Sequence, residues 1–116
     1  MSKKTVIFDL DGTLADIEVR RKKAIKPNGK MDWDEFFNPD NIKLDKPIPA
    51  IVDLIRTYDN KGYNVFIFSG RNDRSWDETV SWLWDNKIPY DLLVMRPDKF
   101  KNKSFPISKN NPATPD

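Results

Sequence analysis

The stretch Thr5-Val6-Ile7-Phe8-Asp9-Leu10-Asp11-Gly12-Thr13-Leu14 constrains this chain more than any other. Thr5 to Phe8 is short, apolar and rich in β-branched residues, the texture of a buried strand in a parallel sheet. Two carboxylates then follow, two positions apart, with glycine and threonine directly after. Side chains at i and i+2 of an extended chain point to one side. Asp9 and Asp11 are therefore expected to share one small volume beyond the strand's carboxyl end, where open α/β sheets bind ligands. Gly12 permits a sharp turn and close backbone approach to a ligand. Thr13 adds a hydroxyl and an N–H at the expected start of a helix, which suits an anion.

The chemistry follows from crowding. Two neighbouring carboxylates repel, so either a cation sits between them or one keeps a proton. Mg²⁺ is the natural cation for oxygen ligands near a phosphate. One carboxylate can attack phosphorus to form an aspartyl-phosphate. The other can protonate the leaving oxygen and later activate water. An isolated D-x-D reads as a polar turn, whereas an apolar strand running into D-L-D-G-T-L reads as phosphoryl-transfer chemistry.

Composition narrows the alternatives. A length of 116 residues bounds the chain to one domain at most. It has no cysteine and no histidine. This excludes disulfides, thiolate zinc sites, cysteine-based phosphatases and histidine-dependent triads, and leaves Asp, Glu, Lys and Tyr as general acids or bases. A formal net charge of +2 says little about nucleic acid. The four glycines form neither a G-x-x-x-x-G-K-[ST] loop nor a G-x-G-x-x-G fingerprint, so no kinase half is expected. No apolar run reaches the length of a membrane span, and Met1-Ser2-Lys3-Lys4 leads straight into the first strand. A cytoplasmic location is expected, the host cytoplasm if the chain is phage-encoded.

Farther along, Leu14 to Ala24 reads as a helix whose Arg20, Arg21, Lys22 and Lys23 form a solvated face, with a nucleic-acid role as the alternative. Pro27-Asn28-Gly29-Lys30 breaks it. Asp32 is placed to cap a short helix with Glu35 in the capping-box position. Trp33, Phe36 and Phe37 are expected to pin that helix to the body, with base stacking as the alternative. Pro47 and Pro49 open a helix whose stripe is Ile51, Leu54, Ile55 and Tyr58, closed by Gly62. Tyr63 to Phe68 reads as a second buried strand, ending in Ser69-Gly70-Arg71. Ser69 offers a hydroxyl and Arg71 a bidentate fork to a phosphate. Asp73 or Ser75 caps a helix with Trp76, Val80 and Leu83 on one face, widened by Trp82 and Trp84. Asp91 to Met95 reads as a third strand with Arg96 at its end.

Phe8-Asp9-Leu10-Asp11-Gly12-Thr13 resembles the first motif of the haloacid dehalogenase (HAD) superfamily. Ile67-Phe68-Ser69-Gly70-Arg71, Ile88-Pro89-Tyr90-Asp91 and Val94-Met95-Arg96-Pro97 narrow the resemblance to the phosphatase domain of phage polynucleotide kinase and its stand-alone relatives, over roughly residues 4–100. The resemblance implies an α/β fold: a three-layer, Rossmann-like core with a parallel sheet over residues 1–105, and a small cap insertion at about 25–46. The C-terminal half would be shortened, with a disordered tail at 106–116. It further implies a Mg²⁺-dependent phosphomonoesterase acting on a nucleotide or on a polynucleotide 3′-phosphate end. Asp9 would be nucleophile and metal ligand. Asp11 would be general acid/base and a metal ligand through its backbone carbonyl. Gly12, Thr13, Ser69, Gly70, Arg71 and Arg96 would surround the phosphate.

Relatives of this kind continue with a lysine-bearing helix and a fourth core strand that ends in acidic residues. No apolar run after Met95 matches that strand, and Phe105-Pro106-Ile107 is short and carries proline. Lys99, Lys101 and Lys103 lie where the lysine is expected, with nothing to choose among them. Thr5–Phe8 is then expected to be an open sheet edge, covered by a second copy or a host protein, and the metal shell to lack its third acidic donor. A second reading is a shortened HAD remnant that binds phosphate, nucleic acid or protein without catalysis. The intact Asp9, Asp11, Ser69 and Arg71 favour the enzyme.

Overall fold

The computed structural model describes residues 3–97 and 107–108. Strand β1 (Thr5–Asp9) runs into a tight turn, then β2 (Ala15–Asp16), α1 (Glu18–Lys23), α2 (Trp33–Phe36) and a 3₁₀ segment at Pro39–Leu44. β3 (Lys46–Pro47), α3 (Pro49–Asn60), β4 (Asn64–Asn72), a 3₁₀ turn at Asp73–Ser75, α4 (Trp76–Asp85), β5 (Leu92–Arg96) and β6 (Ile107–Ser108) complete the order. β1, β4 and β5 pair in parallel, and β6 adds antiparallel to β5. The α/β class and the parallel sheet are as the sequence implies. Among the described residues no helix is long and apolar enough to cross a membrane.

Two successive right-handed crossovers that step the same way place their helices on one face of a sheet. That face is the core. Phe8, Val65, Ile67, Leu93 and Met95 from the sheet are buried with Val52 and Ile55 of α3 and Leu83 of α4. The opposite face of the sheet carries Ile7 at 59% exposure and Phe68 at 44%. Of the three layers expected, the described residues build two. Among the described residues β1 pairs with β4 alone and stands at the edge of the sheet, as expected.

Several local readings change. The helix expected over Leu14–Ala24 starts only at Glu18, because Ala15 and Asp16 pair with Pro47 and Lys46. Asp16 instead receives the Glu18 N–H at 3.0 Å. Pro47 belongs to that small ladder, and Pro49 alone opens α3. The buried stripe of α3 runs through Val52 and Ile55, with Ile51 and Tyr58 beside it, while Leu54 faces outward. Gly62, at φ +86°, ends the helix in the left-handed conformation glycine favours. Neither Asp73 nor Ser75 caps by side chain. Asn72 accepts the Arg74 N–H at 2.9 Å, and the Ser75 hydroxyl donates to the Asn72 carbonyl. Trp82 of α4 is buried, whereas Trp84 is 81% exposed. Lys99, Lys101, Lys103 and most of the expected tail lie outside the described residues.

Candidate active site

Parallel strands bring their carboxyl ends to one edge, so β1, β4 and β5 gather Asp9, Ser69-Gly70-Arg71 and Arg96 there. The register aligns Asp9 with Phe68 and Asn72 with Arg96. After Asp9 the chain folds back on itself: the N–H groups of Thr13, Leu14 and Ala15 all donate to the Leu10 carbonyl, at 3.2, 2.9 and 3.0 Å. Gly12, at φ +81°, makes that reversal. The Thr13 N–H is therefore already used by the turn, and no helix begins at Thr13 to favour an anion. Its hydroxyl is what Thr13 retains for a ligand.

Asp9 is exposed, and its side chain makes no hydrogen bond or ion pair among the described residues. Asp11 is the opposite case. Its Oδ1 accepts from Arg71 Nη2 at 2.6 Å, Arg71 Nε at 3.0 Å and Arg20 Nη2 at 3.2 Å. Its Oδ2 carries only the longer Arg71 Nε contact at 3.2 Å. Oδ2 is thus the oxygen with lone pairs left to carry a proton. Arg71, expected to grip phosphate, is buried and spends its fork on Asp11 and Asp45, with Nη1 on the Thr79 hydroxyl at 3.0 Å. The reason is visible in the alternation of β4: Arg71 lies on the odd-numbered, core-facing side with Val65 and Ile67.

Two residues of this cluster escaped the sequence reading. Arg20 sits in a basic run that reads as a solvated face, yet it is 1% exposed. Its guanidinium binds both Asp45 oxygens at 3.0 Å, donates to the Phe36 carbonyl at 3.0 Å, and lies 4.6 Å from the Phe36 ring centroid. Asp45 also accepts from Arg71 Nη2 at 2.9 Å. The short β2–β3 ladder carries Asp45 to the Asp11 turn, and Trp82 Nε1 fastens its carbonyl at 2.9 Å. Burial pushes the Asp45 carboxyl above its usual range. The hydrogen bond and charge of Arg20, and then the charge of Arg71, pull the other way, while the Asp11 charge adds to the rise. Nothing in Leu44-Asp45-Lys46 marks this residue in the sequence. Arg20, four residues after Asp16, could have been suspected only from its distance along the chain to Asp11.

Ser69 Oγ accepts the Arg71 N–H at 3.0 Å, so its own proton is left for an outside acceptor. Arg96, exposed at the rim, donates Nε to the Gly70 carbonyl at 3.1 Å and so ties the end of β5 to that loop. Gly70 has open space where a Cβ would stand. Among the described residues no three Asp or Glu gather into a metal cage.

The polynucleotide kinase PNKP phosphatase domain model matches residues 3–110. The chain belongs to that family. Its HAD-like fold also appears in two solved structures, both of Pnkp1/Rnl/Hen1 assemblies. One, of the Pnkp1/Rnl/Hen1 complex, matches with a TM-score of 0.67 and 28% identity over 88% of this chain. The other, of the Pnkp1/Rnl/Hen1 RNA repair complex, matches with a TM-score of 0.67 and 29% identity over 87%. The chain spans 30% and 28% of the length of those matched chains. Comparison with curated proteins gave no match. Within the PNKP phosphatase family frame, the HAD resemblance of Phe8–Thr13 and the α/β fold agree.

Proposed function

We propose that this chain is a HAD-type phosphomonoesterase acting on the phosphorylated end of a nucleotide or polynucleotide, a 3′-phosphate foremost. The observation that carries the proposal is the exposed, unpartnered Asp9 carboxylate at the end of β1, two residues before an Asp11 held by two guanidinium groups, in a member of a phosphatase-domain family. An Asp9 oxygen attacks phosphorus as the ester P–O bond breaks. The leaving oxygen takes a proton from Asp11 Oδ2. Water then attacks the aspartyl-phosphate, giving its proton back to Asp11 and releasing phosphate. Ser69, Thr13 and the open backbone at Gly12 and Gly70 surround the phosphoryl oxygens, with Arg96 at the rim. Arg71 and Arg20 act through Asp11 and are positioning residues.

For Mg²⁺, the available protein donors are the free Asp9 carboxylate and the backbone carbonyl of Asp11, whose own carboxylate is taken by Arg71 and Arg20. Mg²⁺ often takes only one or two protein oxygens and completes its shell with water and substrate phosphate, and this donor set fits that mode. Bound there, the ion would neutralise charge on the phosphoryl oxygens. With so few donors its affinity should be low. Phosphate release from p-nitrophenyl phosphate and from a 3′-phosphorylated oligonucleotide should therefore rise with Mg²⁺ without early saturation, and vanish in EDTA. Release from neither substrate at any Mg²⁺ concentration would leave the binding-module reading in its place.

The open β1 edge gives a second expectation. Thr5–Asp9 contains no proline or lysine to block pairing, and Ile7 beside the edge is 59% exposed. An edge strand is self-complementary about a two-fold axis, so a second copy is the occupant. Sedimentation velocity should show a concentration-dependent dimer, and Ile7→Lys should return it to monomer. A wild-type monomer across the concentration series would mean that the edge stays open to solvent and recruits no second copy.

A further inference from the structure

We propose that the segment from Lys22 to Phe37 is a track for single-stranded polynucleotide, with Trp33 stacking on a base and Lys22, Lys26 and Lys30 meeting phosphodiesters. It deepens the phosphatase reading and rests on it for the location of the strand's end. The first observation is charge segregation. Residues 20–30 hold six of the 20 basic residues and no acidic one, so the rest of the chain carries 14 basic against 18 acidic groups, a net of −4.

The six are not alike. Arg20 is buried on Asp45, Arg21 pairs with Glu18, and Lys23 reaches Asn41 and Glu35. Lys22, Lys26 and Lys30 are exposed, and their side chains have no ion pair or hydrogen bond among the described residues. Lys26 and Lys30 face each other across a closed turn, with the Lys26 N–H on the Lys30 carbonyl at 2.8 Å and the Gly29 N–H on the Lys26 carbonyl at 2.8 Å. Like charges opposed in this way destabilise a hairpin. A polyanion lying across the turn reverses the sign of that interaction.

The second observation is the aromatic group next to this turn. The Asp32 N–H bonds the Ala24 carbonyl at 2.7 Å, and α2 follows at once. Phe36 is buried, as expected of a ring that pins the segment. Trp33 is not: it is 59% exposed, stacked on Phe37 at 5.8 Å and 22°, and edge-on to Phe36 at 5.8 Å. Its neighbours fix the ring while leaving most of the residue in water, the form of a stacking platform. The platform is near the chemistry, because Phe36 lies against the Arg20 guanidinium that contacts Asp11. Only an unpaired base offers its face to such a ring, so the ligand is single-stranded.

Binding is measured without turnover, by fluorescence anisotropy of a labelled single-stranded oligonucleotide ending in a 3′-hydroxyl, in EDTA. Trp33→Ala should weaken binding roughly tenfold or more, with Trp33→Phe retaining most of it. Lys22, Lys26 and Lys30 changed together to Ala should flatten the plot of log affinity against log salt by about 2, at ~0.7 for each single-strand phosphate that a lysine no longer neutralises. Wild-type affinity in both the Trp33→Ala and the triple-lysine variants overturns the track. So does equal affinity for the same oligonucleotide annealed to its complement. If wild type binds in this way yet releases no phosphate, the phosphatase reading fails and the track stands. If it releases phosphate but the variants bind alike, the reverse holds.

Discussion

Asp9→Asn should lower phosphate release by several powers of ten, about 10⁴-fold or more, as expected for a covalent nucleophile whose replacement cannot attack. The Asp9 side chain makes no contact that the fold depends on: it is exposed, and no hydrogen bond or ion pair among the described residues holds it. The amide should therefore leave the thermal midpoint within a few degrees of wild type. This separates the result from simple unfolding. Single-turnover assays with p-nitrophenyl phosphate, paired with a melting curve, read both quantities. Retention of more than about one hundredth of the activity in a folded Asp9→Asn protein would show that the phosphoryl group is not passed to Asp9.

Asp45→Ala should be the most damaging substitution for stability. The side chains of Arg20, Arg71 and Asp45 are 1%, 2% and 0% exposed. Removing Asp45 leaves two buried guanidinium groups sharing one carboxylate, that of Asp11. Breaking a buried ion pair from one side costs about 3–5 kcal/mol. In a domain of this size that is a fall in thermal midpoint of more than about 10 °C. Asp45→Asn keeps the volume and two acceptor lone pairs, and should fall between the two. The urea midpoints of wild type, Asp45→Asn and Asp45→Ala give the order. A midpoint for Asp45→Ala equal to wild type would mean that Asp11 alone suffices for both arginines. Where the variants remain folded, turnover should fall as well, because the hydrogen bonds that orient Asp11 come from the two groups Asp45 holds.

The acid/base candidate, the buried ion cluster and α2 thus meet at one arginine. Arg20 touches the candidate Asp11, the buried anchor Asp45 and the Phe36 carbonyl of α2. A strand laid on Trp33 would bear on Phe36 and, through it, on the guanidinium beside Asp11. Three side chains, Trp33, Phe36 and Arg20, connect the proposed track to Asp11.

Local chemistry alone was enough for the three parallel strands and the capped turn at Asp32, whose side chain receives the Glu35 N–H at 3.2 Å, but not for the short strands β2, β3 and β6. Apolar period and capping act between near neighbours, and near neighbours are what a sequence displays. The gathering of Asp9, Ser69 and Arg96 at one sheet edge was legible for the same reason, since parallel pairing carries every strand's carboxyl end there. What tertiary structure decided was the direction of the long cationic side chains. Arg20 and Lys22 look alike in the basic run, yet one is buried on two carboxylates and the other stands in solvent. Asp45 lies 34 residues beyond Asp11 in number and meets the same arginines in space. A buried charge is stable only where opposite charges converge from several elements, and that convergence exists only once the β2–β3 ladder and α4 have closed around it.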